Sequence, residues 1–214
     1  SKLFLNKSSP ILIKESDKVL DLGSGEGTYI GDMFEERKCY TVFTDIEQKL
    51  VSKMNKKNKM CFDAQDLNKY FNENTFNWII TADMLEHIKD DKKALSNMFN
   101  LLNHGGKLIL LVPAHQWAFG RIDKGLGHFR RYSKNEVVNK LHDSCFLIQD
   151  SRYLNWLGLI GWFINARILK RKIIPEGQLG IFDKIARPFL MLEEIIPAPL
   201  GLSVLAIGEK ETDI

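Results

Sequence analysis

The chain has 214 residues, 44% hydrophobic and 27% charged, which is ordinary for one globular α/β domain. Its formal net charge of +3 is too small to indicate a nucleic-acid partner. Its three cysteines lie far apart and show neither metal-ligand spacing nor a disulfide framework, so we expect no metal and a cytoplasmic location. We also expect no signal peptide and no transmembrane segment, because no apolar run approaches the ~20 residues that span a bilayer.

The first structured stretch is a short apolar run, Lys18 to Leu22, followed by a glycine-rich turn over residues 23–27. The run is typical of a buried parallel strand. The glycines permit positive φ angles and let a ligand approach main-chain N–H groups closely. Asp21, just before the turn, would repel a pyrophosphate but suits a cationic ammonium group. The stretch therefore predicts a ligand with a positively charged amino-acid end.

Apolar runs alternate with helical segments along the rest of the chain, which predicts an α/β fold with parallel strand pairing. In such sheets ligands bind at the carboxyl ends of the strands. Aspartates stand at four of the predicted strand ends: Asp21, Asp45, Asp63 and Asp83. We predict further strands over residues 40–45, 60–63, 76–82, 107–112, 146–153 and 202–208, and helices over 3–15, 28–37, 48–58, 90–102, 154–171 and 180–194.

The segment 113–132 is predicted to be a long loop, and Ser133 begins a helix with Glu136 in a capping box. The loop is rich in histidine, arginine and aromatic residues, a composition suited to holding a ligand. Arg130 and Arg131 could together grip an anion, or pair with carboxylates such as Asp123.

The motif VLDLGSGEG at residues 19–27 resembles the first motif of the class I S-adenosylmethionine-dependent methyltransferases. Segments 40–45, 62–67, 78–87 and 105–113 resemble the later motifs of that family, in the same order. The resemblance implies a Rossmann-like, doubly wound, mostly parallel seven-stranded sheet, with an antiparallel last strand beside the fifth. It also implies S-adenosyl-L-methionine as the cofactor and a single domain over 1–214, with cofactor-binding and acceptor-binding halves at 1–112 and 113–214.

The same resemblance assigns cofactor-binding roles to residues of these motifs. The first motif would bind the methionine moiety and the second strand end the ribose. The third strand end would bind the adenine, and the fourth would lie beside the sulfonium. The residues in that order are Asp21, Gly23, Ser24, Gly25 and Gly27; Asp45 and Ile46; Asp63 and Ala64; Thr81 and Ala82.

Three histidines, His87, His115 and His128, are candidate general bases, because a hydroxyl acceptor must lose its proton during methyl transfer. Each of them could equally serve in packing or positioning. The segment GHFRRYS at 127–133 resembles a subgroup associated with glycan, lipid or small-metabolite methylation. We therefore expect a small-molecule, sugar or lipid-linked acceptor that carries a hydroxyl and an anionic group. The expected acceptor-binding residues are Trp117, Arg130, Arg131 and Tyr132.

Two other functions remain open on the sequence. An NAD-dependent oxidoreductase would suit Asp45, although the glycine spacing differs from GxGxxG. A non-catalytic module that binds the cofactor or a membrane surface is the second. The apolar, tryptophan-bearing stretch 154–172 could contact a membrane peripherally or cover the sheet. The oligomeric state stays open.

Overall fold

The computed structural model describes residues 13–26, 30–165 and 198–211. The predicted helices over 3–15 and 180–194 lie wholly or largely outside these ranges, as does Gly27. Among the described helices, none is both long and apolar enough to cross a membrane.

Seven strands of the described chain form one sheet in the order β3-β2-β1-β4-β5-β7-β6. The first five pair in parallel, and the last strand in the chain lies antiparallel between its two neighbours. The predicted mostly parallel sheet with an antiparallel last strand beside the fifth is thereby confirmed. The strands are β1 (Lys18–Leu22), β2 (Tyr40–Asp45), β3 (Lys59–Cys61), β4 (Phe76–Ala82), β5 (Leu102–Pro113), β6 (Leu147–Leu154) and β7 (Ser203–Glu209).

The central strands are apolar on both faces, as expected of parallel strands covered by helices on each side. Alternate residues of β4 show this: Ile79 belongs to the larger core cluster, whereas Trp78 and Ile80 belong to the smaller one. The α-helices in the described ranges are α1 (Ile30–Glu35), α2 (Gln48–Lys53), α3 (Asp91–Leu101), α4 (Arg121–Leu126), α5 (Lys134–Asp143) and α6 (Trp156–Phe163).

The segment 113–132 is not one long loop, and that expectation was wrong. It contains a short 3-10 helix, Gln116–Ala118, and α4. The carboxylate of Asp123 accepts the backbone N–H of Gly120 and so caps α4, while Ile122 is buried. At the next helix, Ser133 accepts the N–H of Glu136, in accordance with the predicted helix start.

β1 lies at the centre of the sheet, between β2 and β4, and its last residue, Leu22, pairs with Thr44 and with Thr81. The chain therefore adds β2 and β3 on one side of β1 and then crosses to β4 on the other side. This reversal opens a crevice beyond the carboxyl ends of the strands, where α/β sheets bind their ligands.

Candidate functional site

A cavity of about 480 Å³ lies beyond the carboxyl ends of β1, β2 and β4. This volume falls in the range of small-molecule sites, roughly 300–1,000 Å³. Residues along its wall come from the glycine turn, the end of β2, the segment after β3 and the turn after β4. They include Gly23, Asp45, Ile46, Asp63, Ala64, Gln65, Asp83, Met84, His87, Lys89 and Phe129.

The glycine turn is locked to the end of β2. The N–H of Gly25 donates to Oδ2 of Asp45 at 3.0 Å, and the N–H of Glu47 donates to Oδ1 of the same carboxylate at 2.9 Å. Gly23 has φ +70°, and a Cβ there would lie 2.6 Å from Cγ of Met84. Only glycine therefore allows the turn to pass this close to the cavity wall.

Asp63 and Ala64, which follow β3, form another part of the wall. Asp63 begins the 3-10 helix Ala64–Lys69, and its carboxylate accepts the N–H of Gln65 at 2.8 Å. Beside the end of β2, the side chain of Ile46 is 64% exposed, so an apolar surface adjoins the Asp45 carboxylate. A carboxylate flanked by exposed apolar surface suits a ligand with hydroxyls and a flat ring.

These residues fit S-adenosyl-L-methionine. Each carboxylate oxygen has about two acceptor positions, so Asp45 can bind the glycine turn and still accept ribose hydroxyls. The tight glycine turn supplies backbone at the cavity, and Asp63 with Ala64 supplies both polar and apolar wall.

Five of the eleven predicted cofactor residues line the cavity: Gly23, Asp45, Ile46, Asp63 and Ala64. Asp21 and Ser24 are buried near the turn, and Gly25 contacts Asp45 without lining the cavity. Thr81 is fully buried in β4, beside Ala82, and neither residue lines the cavity.

Among the three candidate bases, only His87 lies on the cavity wall. It ends the 3-10 helix Leu85–His87 that follows β4. Partial burial, together with the nearby His128, lowers its pKa below the usual value. His87 is therefore largely neutral at pH 7 and able to accept a proton.

His128 lies behind His87, with the two rings edge to face and their centroids 4.6 Å apart. Its Nδ1 is 3.2 Å from Oδ1 of Asp123, and its Nε2 is 3.8 Å from Oε1 of Glu86. His128 thus lies between two carboxylates and contacts that of Asp123.

His115 lies away from the cavity, at the end of β5. Its ring stacks between Trp117 and Tyr153, at centroid distances of 5.2 and 4.8 Å. It is 6% exposed, has φ +66°, and burial lowers its pKa. A non-glycine residue held in that backbone region is strained, a condition that clusters at functional sites.

The predicted acceptor-binding residues do not line the cavity. Arg131 is buried, with Nε 2.6 Å from Oδ1 of Asp123 and its guanidinium 4.2 Å from the ring centroid of Trp162. Arg130 pairs with Asp91 at 2.8 Å. Both guanidinium groups therefore have carboxylate partners inside the chain, one of the two alternatives that the sequence left open.

Two aromatic residues of the same predicted set also lie elsewhere. Tyr132 is fully buried, and its hydroxyl donates to Oδ2 of Asp91 at 3.0 Å, so its place is in the core. Trp117 is half exposed beside His115 and Phe163.

Sequence reasoning missed Glu86. Its side chain is fully buried, and burial together with the charge of Asp83 raises its pKa to about 9. A glutamate in a turn between a strand and a helix ordinarily faces solvent, so no pattern marked it. Its proximity to His128 arises only when α4 folds back over the turn after β4.

Comparison with known proteins decides the family. Residues 2–161 match the family described as Methyltransferase domain. The chain belongs to this methyltransferase family. Membership confirms the predicted enzyme class and, with it, S-adenosyl-L-methionine as the family's cofactor. The GHFRRYS subgroup is not established by this match and stays a prediction.

Two curated relatives share about half of the chain. A ubiquinone/menaquinone biosynthesis C-methyltransferase of Wigglesworthia glossinidia brevipalpis is 29% identical over 51% of this chain and 46% of its own length. A phosphoethanolamine N-methyltransferase of Plasmodium falciparum is 32% identical over 48% of this chain and 41% of its own. The chain thus spans less than half the length of either relative.

Solved structures show the same fold. A SAM-dependent methyltransferase from Archaeoglobus fulgidus superposes with a TM-score of 0.64, covering 92% of this chain and 88% of its own, at 15% identity. At that identity the likeness establishes the architecture alone.

Proposed function

We propose that this methyltransferase transfers a methyl group from S-adenosyl-L-methionine to a hydroxyl of a small-molecule, sugar or lipid-linked acceptor. The observation that carries the proposal is the convergence of Gly23, Asp45 with Ile46, and Asp63 with Ala64 on one cavity. These residues come from the ends of three strands that are separated in sequence. The family match supports the same cofactor.

The bound cofactor supplies an electrophilic methyl group, and the protein mainly has to align the acceptor with it. Holding the reacting atoms in line is the dominant contribution to such a reaction. The rigid glycine turn and the Asp45 carboxylate fix the cofactor side. His87 is the histidine placed to take the proton of an acceptor hydroxyl, because it is neutral at pH 7 and lies on the cavity wall.

The acceptor would enter beside Phe129 and Lys89, which line the cavity near His87. Phe129 is 53% exposed, so it offers an apolar contact at this entrance. An anionic acceptor would have to pair with Lys89 there, because Arg130 and Arg131 are already paired with carboxylates. We retain the division into a cofactor-binding half, 1–112, and an acceptor-binding half, 113–214, as part of this proposal.

Calorimetric titration with S-adenosylhomocysteine tests the cofactor site. The wild-type protein should bind one equivalent, and Asp45→Asn should weaken binding by about 10- to 100-fold, the equivalent of one or two charge-assisted hydrogen bonds. Asp66→Asn is the matched control, since Asp66 lies just beyond the same wall and pairs with the exposed Lys69.

Absence of binding by the wild-type chain would overturn the proposal. So would equal binding by wild type and Asp45→Asn, because the cofactor would then lie elsewhere. Methyl transfer itself is tested by offering hydroxylated acceptors with radiolabelled cofactor and comparing wild type with His87→Gln.

A further inference from the structure

Three side chains with metal-ligating atoms meet beside the cavity, where His87 lines the wall. Glu86 and His87 come from the 3-10 helix after β4, and His128 follows α4. One ligand atom from each lies within 4.8 Å of the other two. Two imidazole nitrogens and one carboxylate oxygen form a common donor set for divalent transition metals.

The orientation of His128 is fixed from behind. Its Nδ1 is 3.2 Å from the Asp123 carboxylate, so this nitrogen carries the proton and Nε2 presents its lone pair to Glu86. Asp123 is fully buried and is itself held by Nε of Arg131 at 2.6 Å and by the N–H of Gly120 at 2.7 Å. Metal-bound histidines are typically oriented by a carboxylate in this way.

The second observation concerns Glu86. Its side chain is fully buried, and neither carboxylate oxygen has a hydrogen-bond partner among the described residues. Nε2 of His128 is 3.8 Å from Oε1, which is too long for a hydrogen bond. A buried carboxyl group without hydrogen-bond partners costs free energy, and a cation bound between it and the imidazole lone pair would offset that cost.

We propose that Glu86, His87 and His128 bind a divalent transition-metal cation such as Zn²⁺. With metal–ligand bonds of about 2.0–2.2 Å, two ligands in tetrahedral geometry are roughly 3.3 Å apart. The separations in the cluster are 3.8 Å for one pair and 4.8 Å at most, so they would shorten by about 0.5–1.5 Å when the ion binds. The assignment departs from the expectation of no metal, which rested on cysteine spacing alone.

The site adjoins the proposed cofactor cavity, because His87 belongs to both. Three protein ligands leave at least one coordination position open. With the ion bound, the ligating nitrogen of His87 is engaged and His87 no longer serves as the free base. An acceptor hydroxyl at the open position would instead lose its proton more readily to solvent, because a bound cation lowers the pKa of a coordinated hydroxyl. This use of the ion rests on the proposed function, whereas binding of the ion does not.

The test is metal binding by the whole chain, without cofactor or acceptor. Protein stripped with a chelator and dialysed is titrated with CoCl₂, followed by visible absorption, and with ZnCl₂, followed by calorimetry. We expect one equivalent to bind and a d–d absorption band to appear with Co²⁺. His128→Gln and Glu86→Gln should each lower affinity more than tenfold, and Asp123→Asn by about 10- to 100-fold through the orientation of His128.

His142→Gln is the matched control, because His142 is exposed in the last turn of α5, outside the cluster. It should bind like wild type. Circular dichroism checks that each variant is folded. If Glu86→Gln unfolds, His87→Gln tests the site instead, because His87 is its exposed ligand and its replacement should also lower metal affinity more than tenfold.

Two results would overturn the proposal. If wild type binds no equivalent of either metal, no cation occupies the cluster. If wild type and His128→Gln bind equally, the ion lies elsewhere. Because S-adenosylhomocysteine binding is measured separately, failure here leaves the proposed function intact.

Discussion

At the scale of single residues, Gly23 lines the proposed cofactor cavity and lies against Met84. Gly23→Ala would place a methyl group 2.6 Å from Cγ of Met84 and force alanine into φ +70°. We expect a loss of about 1–3 kcal/mol in the free energy of unfolding and weaker binding of S-adenosylhomocysteine. Urea denaturation and calorimetry measure the two effects.

The control for this change is Gly125→Ala. Gly125 lies inside α4, and nothing stands within 4 Å of an added Cβ there. Alanine should therefore be neutral or stabilise the protein by up to about 1 kcal/mol. Equal effects of the two substitutions would show that the contact with Met84 does not limit the turn.

Some of the residues predicted from the sequence lie at the cavity and others do not. Gly23 and Asp45 lie there because a strand, a glycine turn and the next strand end are consecutive in the chain. The partners of Arg131 and Tyr132 are carboxylates on α4 and α3. The sequence left a salt bridge from Arg131 to Asp123 as an alternative, but only tertiary packing selects it and buries Tyr132 against Asp91.

At the scale of secondary-structure elements, Asp91 joins α3 to α5 and to the segment before α5. It accepts hydrogen bonds from Lys140 at 3.0 Å and from the Tyr132 hydroxyl at 3.0 Å, and pairs with Arg130 at 2.8 Å. Asp91→Asn should lower the free energy of unfolding by about 1.5–3 kcal/mol, since it removes charge-assisted bonds from a buried position. Asp143→Asn is the control: its exposed pair with Lys92 joins the same two helices and is worth at most about 1 kcal/mol.

The same contact gives stability a pH dependence. Burial alone would raise the pKa of Asp91, but the hydrogen bonds from Lys140 and Tyr132 and the charges of Lys140 and Arg130 outweigh it and hold the pKa below its usual value. A carboxyl group whose pKa is lower in the folded state stabilises the fold fully above its unfolded-state pKa of about 3.9. This stabilisation is lost as the pH falls through the pKa of the folded state. The difference between wild type and Asp91→Asn should therefore be constant from pH 5 to 7 and shrink below about pH 4 in urea denaturation.

Most elements followed from the alternation of apolar runs and helical segments, whereas the segment 113–132 did not. Its glycines and aromatic residues are typical of a loop. Even so, α4 forms there, because Asp123 caps it and Ile122 is buried. Arg131 and His128, which follow α4 in the chain, hold the Asp123 carboxylate in place. Local propensity contains no sign of these contacts.

At the scale of the whole molecule, the sheet order brings distant parts of the chain to one crevice. β1 forms the centre, so the first glycine turn meets segments that end near residues 45, 63 and 87. The position of β7 between β5 and β6 was predicted by family resemblance; no periodicity distinguishes an inserted strand from an edge strand.

Because the cavity is built from several strand ends, ligand binding should stabilise the entire fold. S-adenosylhomocysteine at 100 times its dissociation constant should add about 2.7 kcal/mol to the free energy of unfolding. For a chain of this length that corresponds to a rise in Tm of about 5–11 °C. At the same concentration Asp45→Asn, with tenfold weaker binding, should gain only about 1.4 kcal/mol. NADH at equal concentration should leave Tm unchanged in scanning calorimetry. Only a ligand that prefers the folded state can raise Tm, so an equal rise with NADH would favour the NAD-dependent oxidoreductase instead.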